Sequence, residues 1–397
     1  MQDTIQLTLM NQNTPVMKFH YHTGAHICTG IDKILNPEFA SPALTRTDGS
    51  ITETTFNTWW QRRAIPVTRT GLDFVLDTLK ITDSRKLLDM NHGLSLSDRY
   101  WVNDGSLSWN DINYFENDFH DDLGMITLHS QIPEGMTTDN LALLNPSSSL
   151  NGNMKKKWTI DPDGSRMLYK KSSSPMALDV YGEAVATALH KYVFAKDEYV
   201  PYEIRSDRDG IYAVCPNMLH ENEELIPAYD ILVNDFSYEG NTFQNFLNRV
   251  GRLGIEGAAD FFGQMFICDF IIGNYDRHFN NFGFIRNVET LQYTGVAPVY
   301  DSGNSLWNRE PVVRPENSGN YYAKPFGYGL GEHATAQIKH IPNLSCVDYS
   351  CIPHFLDDAA EILYNANLIP EQRCKDTLAA ISNQICILQH SILEKAE

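Results

Sequence analysis

An apolar run that ends in a polar loop limits the possible folds of this chain more than any other stretch. Residues 261–273 are mostly apolar, and the loop that follows contains Asp276 and Asn281. A second apolar segment then delivers Asp301 directly before a Ser-Gly turn. The fold must bring both segments together if these side chains act on one ligand.

Asp276, Asn281 and Asp301 form the side-chain set that phosphoryl transfer from ATP requires. One Asp orients the attacking hydroxyl, while an Asn and a second Asp hold Mg²⁺ against the phosphates. Taken singly, Asp276 is equally a turn or N-cap residue and Asn281 a turn residue. Their combination favours a catalytic loop, in which Arg277 stabilises either the loop or the Asp, and His278 is a structural hydrogen-bonding residue rather than a proton shuttle.

The nucleotide end of such a site is predicted more than a hundred residues earlier. A small polar loop at residues 147–153 precedes a predicted hairpin with strands 155–160 and 166–170. Backbone N–H groups of such a loop can cradle phosphates, although the same composition is typical of ordinary hairpin loops. Lys170 either contacts phosphates or is a solvated strand end. Glu183, early in the next helix, either pairs with that lysine or lies on the surface.

Composition and charge exclude several classes of function. The chain has 397 residues, with 50 acidic and 31 basic residues and a net charge of −19. Direct nucleic-acid binding is not expected, because neutralising phosphates needs clustered Lys and Arg. The seven cysteines include no CxxC pair, which predicts a reducing, cytoplasmic location. The N-terminus lacks signal-peptide features, and the most apolar window is too short to span a bilayer, so no membrane association is expected.

The order of the parts predicts an α+β, two-lobed protein-kinase-like fold. A mixed, β-rich α/β region is expected at residues 1–140, followed by a small β-rich nucleotide-binding lobe at 141–218 that opens with a strand at 141–144. A larger, mainly helical lobe is expected at 219–397, and its C-terminal helix has an apolar seam that predicts packing on the protein itself. We therefore expect a monomer or a partner-dependent oligomer.

The catalytic motifs resemble a known family. Residues 273–281, read together with Tyr300 and Asp301, are similar to the catalytic and metal-binding segments of HipA-like serine/threonine kinases. The related phosphatidylinositol 3/4-kinases carry a similar Asp-Arg-His-x-x-Asn motif. The resemblance implies that Asp276 is the catalytic Asp, that Asn281 and Asp301 bind Mg²⁺, and that ATP is the phosphate donor.

The resemblance extends to the nucleotide end. Ser149-x-x-Gly152, with Lys156 four residues later, resembles the family's phosphate loop, and Lys170 matches the nucleotide-contacting lysine. The implied nucleotide-binding residues are Ser149, Gly152, Lys156, Lys170, Cys215, Asn217 and Met218. The last three lie in the implied hinge. The family also implies autophosphorylation, for which the candidates are Ser147, Ser148 and Ser149.

The sequence therefore predicts an ATP- and Mg²⁺-dependent serine/threonine protein kinase of HipA type, toxin-like and autophosphorylating. The resemblance implies a protein substrate, with translation components as the first class to test, and a small DNA-binding antitoxin as a possible partner. Two alternatives stay open: a small-molecule or lipid kinase, and a pseudokinase binding module of a toxin–antitoxin system. The intact set of Lys170, Asp276, Asn281 and Asp301 argues against the pseudokinase.

Overall fold

The computed structural model describes residues 4–132, 144–172, 174–235, 243–326 and 333–396. The strands are β1 (Thr4–Asn11), β2 (Thr14–His22), β3 (Ile27–Ile34), β4 (Tyr100–Asn103), β5 (Lys155–Ile160), β6 (Arg166–Lys171), β7 (Glu203–Asp207), β8 (Gly210–Pro216), β9 (Glu223–Pro227), β10 (Gly283–Asn287) and β11 (Tyr293–Val296). The α-helices are α1 (Glu53–Arg63), α2 (Leu72–Leu79), α3 (Arg85–Met90), α4 (Trp109–Ile112), α5 (Asp122–His129), α6 (Leu178–Val193), α7 (Ala228–Leu232), α8 (Phe243–Val250), α9 (Ala258–Ile272), α10 (Ala334–Lys339), α11 (Ile352–Tyr364) and α12 (Glu371–Ala396). The predicted mixture of helices and antiparallel strands is confirmed, whereas the two-lobed kinase layout stays a prediction.

The chain divides into two compact units, each built from separate segments. Unit 1 comprises Met1–Lys171, Pro216–Asp235 and Ile285–Gln292, and unit 2 comprises Ser172–Cys215, Phe236–Phe284 and Tyr293–Glu397. The boundaries expected after residues 140 and 218 stay predictions. The strand expected at 141–144 falls almost wholly outside the described residues. No α-helix in the described ranges is both long enough and apolar enough to cross a bilayer.

The first sheet of unit 1 follows from period-two patterning in β2. Its strands run in the order β3-β2-β1-β4, with antiparallel pairs throughout. Phe19 and Tyr21 are buried, while Lys18 and His20, which alternate with them, are exposed. Helix α1 covers the buried face, where the rings of Phe19 and Phe56 lie 4.6 Å apart. Alternation along the strand therefore sets which face receives the helix.

A buried ion pair joins distant segments of unit 1. The guanidinium of Arg286 lies 2.6 Å from Glu224 Oε1 and donates to the hydroxyl of Tyr100 at 2.7 Å. The side chains of Arg286 and Glu224 are 5% and 0% exposed. Burial raises the pKa of Glu224, although Arg286 opposes that shift. The arginine therefore compensates much of the cost of burying this carboxylate.

Helix α9 forms the centre of unit 2. It packs against α6, α10 and α12, and side chains on several of its faces are buried, including Phe262, Met265, Phe266 and Ile267. A helix that is apolar all round belongs inside a protein. Its C-terminus is therefore a fixed point from which the polar loop departs.

Helix α6 carries a buried histidine that should make stability depend on pH. His190 packs against the rings of Phe194 and Tyr199, with centroids 5.5 and 6.0 Å away. Burial, with a smaller contribution from Arg277, lowers the pKa of His190 to about 3. The unfolded chain then binds more protons below pH ~6.5, so folding stability decreases as the pH falls from that value towards 3.

We expect the free energy of unfolding to fall by about 2 kcal/mol between pH 7 and pH 5 on account of His190 alone. Urea denaturation of the wild type and His190→Leu at both pH values measures this contribution. The variant should lose less stability on acidification. His354→Gln, which removes an exposed histidine from α11, serves as the control. If the free energy of unfolding changes equally with pH in wild type and His190→Leu, His190 is not the source of the pH dependence.

Candidate active site

The loop after α9 starts at a glycine that no other residue can replace without strain. Gly273 caps the helix in the left-handed conformation, at φ 68°. A Cβ at this position would lie 2.8 Å from the indole ring of Trp307. Asn274 then donates to Asp269 Oδ1 at 2.8 Å and accepts from the N–H of Asp276 at 3.1 Å. The end of the helix thereby sets the course of the loop.

Arg277 joins the loop to the segment that carries Asp301. Its Nε and Nη2 donate to both carboxylate oxygens of Asp269, at 2.7 and 2.8 Å. Its Nη1 donates to the carbonyls of Asn281, at 2.8 Å, and Tyr300. Its Nη2 also donates to Ser302 Oγ at 2.7 Å. Burial alone would lower the pKa of Arg277, but pairing with Asp269 raises it above the ordinary value.

Two donors hold the carboxylate of Asp276. Lys324 Nζ lies 2.6 Å from Asp276 Oδ1, and Asn304 Nδ2 donates to Oδ2 at 2.9 Å. Asn304 Oδ1 accepts in turn from the hydroxyl of Tyr275 at 3.0 Å. Burial raises the pKa of that tyrosine to about 12, so the phenol stays a donor at neutral pH. The two hydrogen bonds therefore fix the direction of the carboxylate.

Asn281 and Asp301 present oxygen donors on this frame. The side-chain N–H of Asn281 donates to the carbonyl of Asp276 at 3.1 Å, which directs the amide oxygen the other way. Asp301 is half-buried and has a φ of 58°, a backbone conformation that Asp tolerates better than most residues. The hydroxyl of Tyr300 donates to the carbonyl of Asn280 at 2.8 Å, holding the two segments together.

The side-chain oxygens of Asn281 and Asp301 fit Mg²⁺ better than a metal whose ligands all come from the protein. Across the described ranges, no cluster of three or more His, Cys, Asp or Glu side chains could hold a metal. Mg²⁺ is usually bound by one or two carboxylates, with phosphates and water supplying the other ligands. An amide oxygen from Asn281 and a carboxylate from Asp301 are suited to that mode of binding.

His278 has a structural position in the loop. Its N–H donates to the carbonyl of Asp276 at 2.7 Å, and its Nδ1 accepts from the N–H of Asn280 at 3.3 Å. Burial lowers the pKa of His278, with Asp276 opposing the shift. The ring is therefore neutral at pH 7 and organises the turn without adding charge.

Phenylalanines anchor the loop to the core of unit 2. Phe279 and Phe282 lie 5.8 Å apart, and Phe246 of α8 packs against both at 6.3 and 5.7 Å. The loop therefore contains aromatic residues that pack on the core and polar residues that face the candidate site. The aromatic residues hold the backbone, so that the polar residues keep one geometry.

Glu183 lies beside the segment that carries Asp301. Its Oε2 accepts from the N–H of Ser302 at 2.9 Å. A Cβ on Gly182 would lie 2.9 Å from the carbonyl oxygen of Gly303, so a glycine is needed for α6 to approach this closely. Glu183 belongs to unit 2 and Lys170 to unit 1, and their predicted pairing stays a prediction.

The predicted nucleotide residues of unit 1 form a cationic group on the β5–β6 hairpin. Lys156 and Lys170 are directly opposite each other in the antiparallel register and are 8% and 2% exposed. A Cβ on Gly152, which has a φ of 92°, would lie 2.8 Å from Lys156 Nζ. Lysine ammonium groups beside a glycine-containing loop are suited to binding phosphate.

The three autophosphorylation candidates lie in a short 3-10 helix at Pro146–Ser149. Ser147 and Ser148 are fully buried, and the hydroxyl of Ser147 accepts from the N–H of Trp158 at 3.1 Å. Ser149 is half-buried, and its hydroxyl donates to the carbonyl of Leu94 at 2.6 Å. Modification of any of these serines would require the turn to open.

The predicted hinge residues are divided between the units. Cys215 is buried in β8 and belongs to unit 2, whereas Asn217 and the half-buried Met218 belong to unit 1. The N–H of Asn217 donates to the carbonyl of Arg166 at 2.8 Å. Asn217 also lines a cavity of about 550 Å³ in unit 1, together with Arg99. Because its N–H is already used, Asn217 could contact adenine through other atoms only.

Comparison with known proteins links a short stretch of the chain to a kinase. No protein-family model matches the sequence. A stretch of 47 residues is 43% identical to the serine/threonine-protein kinase CtkA of Helicobacter pylori, covering 12% of this chain and 14% of that protein. The crystal structure of an H. pylori proinflammatory kinase CtkA aligns over 60% of this chain and 95% of that chain, with a TM-score of 0.46 and 14% identity. The sequence match supports a kinase-like chain.

Three residues of the site are missing from the sequence-based prediction. They are Asp269, Asn304 and Lys324. Asp269 was detectable, because it is a charged residue in the apolar C-terminal half of α9 and such residues are buried only with a partner. Asn304 follows Asp301 closely but has no distinctive local pattern. Lys324 is 48 residues from Asp276, and no local signal connects them.

Proposed function

We propose that this chain is an ATP- and Mg²⁺-dependent serine/threonine protein kinase of HipA type. One observation carries the proposal: the buried Arg277 binds Asp269, the backbone of Asn281 and the backbone of Tyr300 together. These contacts join the loop that carries Asp276 and Asn281 to the segment that carries Asp301, which supports a joint role for the three side chains. The 47-residue similarity to a serine/threonine-protein kinase gives independent support.

Asp276 would orient the hydroxyl of the acceptor and take its proton. Lys324 and Asn304 hold the two carboxylate oxygens, so rotation of the side chain is restricted before the acceptor binds. The partly exposed Lys324 also adds positive charge beside the position where negative charge accumulates during transfer. Such preorganised charge is a major source of catalysis in phosphoryl transfer.

Asn281 and Asp301 would hold Mg²⁺, which when bound neutralises phosphate charge. The amide oxygen of Asn281 is aligned by its hydrogen bond to the backbone of Asp276. In unit 1, the opposed Lys156 and Lys170 and the loop at Gly152 would bind the nucleotide phosphates. Ser149 would contribute to that loop, and Cys215, Asn217 and Met218 would lie near adenine.

The biological context belongs to the same proposal. By the HipA resemblance, the acceptor is a protein, with translation components as the first candidates, and the chain is toxin-like with a small antitoxin partner. Ser149 is the preferred autophosphorylation site, because it is less buried than Ser147 and Ser148.

Incubation with γ-labelled ATP tests the proposal directly. The purified chain is incubated with Mg²⁺ or with EDTA, alone and with casein as a general acceptor, and phosphosites are mapped by mass spectrometry. We expect Mg²⁺-dependent label on Ser or Thr. Absence of both label and ATP binding would contradict the proposal, whereas ATP consumption with label only on a non-protein acceptor would indicate a small-molecule or lipid kinase.

Asp301→Ala should weaken Mg²⁺-dependent ATP binding by at least about tenfold, since loss of a metal-site group commonly costs that much or more. Calorimetric titration with ATP, at saturating Mg²⁺ and in EDTA, separates the metal-dependent part of the affinity. Glu256→Ala removes an exposed acidic residue of unit 2 and should leave both affinities unchanged. Equal Mg²⁺-dependent affinity in Asp301→Ala and wild type would exclude Asp301 as a ligand.

A further inference from the structure

A buried arginine of the N-terminal region contacts the candidate phosphate loop. Arg69 is 3% exposed. Its Nε donates to the carbonyl oxygen of Gly152 at 2.9 Å, and its Nη2 donates to the carbonyl oxygen of Leu150. Nothing in the sequence assigns a function to the segment that carries Arg69, which precedes the loop by about eighty residues in the chain.

Neighbouring residues hold the same segment against the loop. The hydroxyl of Thr68 donates to Asn153 Oδ1 at 2.6 Å, and the N–H of Thr70 donates to the carbonyl of Asn153 at 3.4 Å. Gly71 has a φ of 82°, and a Cβ there would lie 2.3 Å from Ser130 Oγ and 3.1 Å from the side chain of Lys155. The segment is therefore tightly packed on both sides of Arg69.

The two carbonyl contacts determine where the loop amides point. In a planar trans peptide the N–H of the next residue points away from the C=O. Anchoring the carbonyls of Leu150 and Gly152 on Arg69 therefore turns the N–H groups of Asn151 and Asn153 to the opposite side. Both of these asparagines are exposed. Backbone N–H groups that face the same side of a loop can bind an anion.

The energetics of Arg69 differ from those of an ordinary structural arginine. Burial lowers the pKa of Arg69 to about 9, with no opposing contribution from a carboxylate among the described residues. Its Nη1 is buried and has no hydrogen-bond partner among the described residues. Burying a charged guanidinium in this way carries a desolvation free energy that destabilises the fold. An anion bound to the adjacent loop would reduce that free energy.

We propose that Arg69 is a positioning residue that fixes residues 150–153 in the conformation that binds nucleotide phosphates. This inference rests on the proposed function, because the anion is taken to be the polyphosphate of ATP. Arg69 acts on the loop through backbone carbonyls, and transfer itself involves other residues. The N-terminal region thereby becomes part of the nucleotide-binding apparatus.

The test compares Arg69→Met and Arg69→Lys with wild type in calorimetric ATP titrations, in steady-state kinetics and in hydrogen exchange of the loop amides. Arg69→Met should raise the Kd and KM for ATP by at least about tenfold, with a smaller change in kcat. Amides 150–153 should exchange faster in the ligand-free variant. Arg69→Lys should give an intermediate effect, because an ammonium cannot reproduce the planar fork.

Guanidinium at millimolar concentration should partly restore ATP binding to Arg69→Ala.

Arg373→Met is the matched control. Arg373 is also buried, donates to the backbone carbonyls of Leu306 and Glu310 in unit 2, and has a pKa lowered by burial. Its loss should reduce stability without changing the affinity for ATP. Two results would overturn this inference alone. One is an equal affinity for ATP in Arg69→Met and wild type, and the other is an equal loss of ATP affinity in Arg69→Met and Arg373→Met. Failure of the wild type itself to bind ATP would instead overturn the proposed function, and this inference with it.

Discussion

Asp276→Asn is expected to slow phosphoryl transfer by about 10²- to 10⁴-fold, the usual contribution of a general base. The amide is nearly isosteric but cannot accept the proton of the acceptor hydroxyl. It also cannot accept hydrogen bonds from both Lys324 and Asn304 as the carboxylate does. Initial rates with labelled ATP under single-turnover conditions measure the chemical step.

The matched control is Asp260→Asn, which makes the same chemical change at an exposed position of α9. That variant should retain the wild-type rate. Thermal unfolding and ATP titration of Asp276→Asn should show an intact fold and near-normal nucleotide affinity. A rate within tenfold of wild type would remove Asp276 from the proposed mechanism.

Arg277→Met should lower the free energy of unfolding by about 3–5 kcal/mol, the usual cost of leaving one partner of a buried ion pair alone. Asp269, which is 3% exposed, would keep only its hydrogen bonds within the loop and helix. The contacts to the carbonyls of Asn281 and Tyr300 would also be lost. Urea denaturation gives the energy, and kinase assays give the functional consequence.

The double variant Asp269→Leu/Arg277→Met separates stability from function. Removing both charges should recover part of the lost stability, since apolar replacement of a buried pair is often tolerated. Transfer should stay impaired, because neither new side chain can donate to Asn281 and Tyr300. If the free energy of unfolding of the single variant Arg277→Met lies within about 1 kcal/mol of the wild-type value, the ion pair between Arg277 and Asp269 contributes little to stability.

Elements with a strong local period were predictable from the sequence. The β5–β6 hairpin lies within one residue of its predicted strands, α6 contains Glu183 near its start as expected, and α9 covers nearly all of the apolar run at 261–273. Helical and strand periods act over a few residues, so each of these segments carries its own signal. The motif around Asp276 was likewise visible, because its residues are adjacent in the chain.

Other features depend on contacts that no local pattern encodes. Strand β9 lies in a region for which the sequence indicated mainly helix, and one of its inward-facing positions is the charged Glu224. A buried charge interrupts the apolar alternation by which strands are recognised. Lys324 and Arg69 reach their partners across long stretches of chain, so three-dimensional structure was needed to find them.

The discontinuous make-up of unit 1 has a consequence for biosynthesis. Arg286, the partner of buried Glu224 and Tyr100, lies in the last segment of that unit, Ile285–Gln292. A ribosome synthesises this segment only after the loop containing Asp276. Until then Glu224 lacks the arginine that pairs with it directly, and the unit cannot reach its final packing. Unit 1 therefore completes its packing only after residue 292 has left the exit tunnel, late in translation.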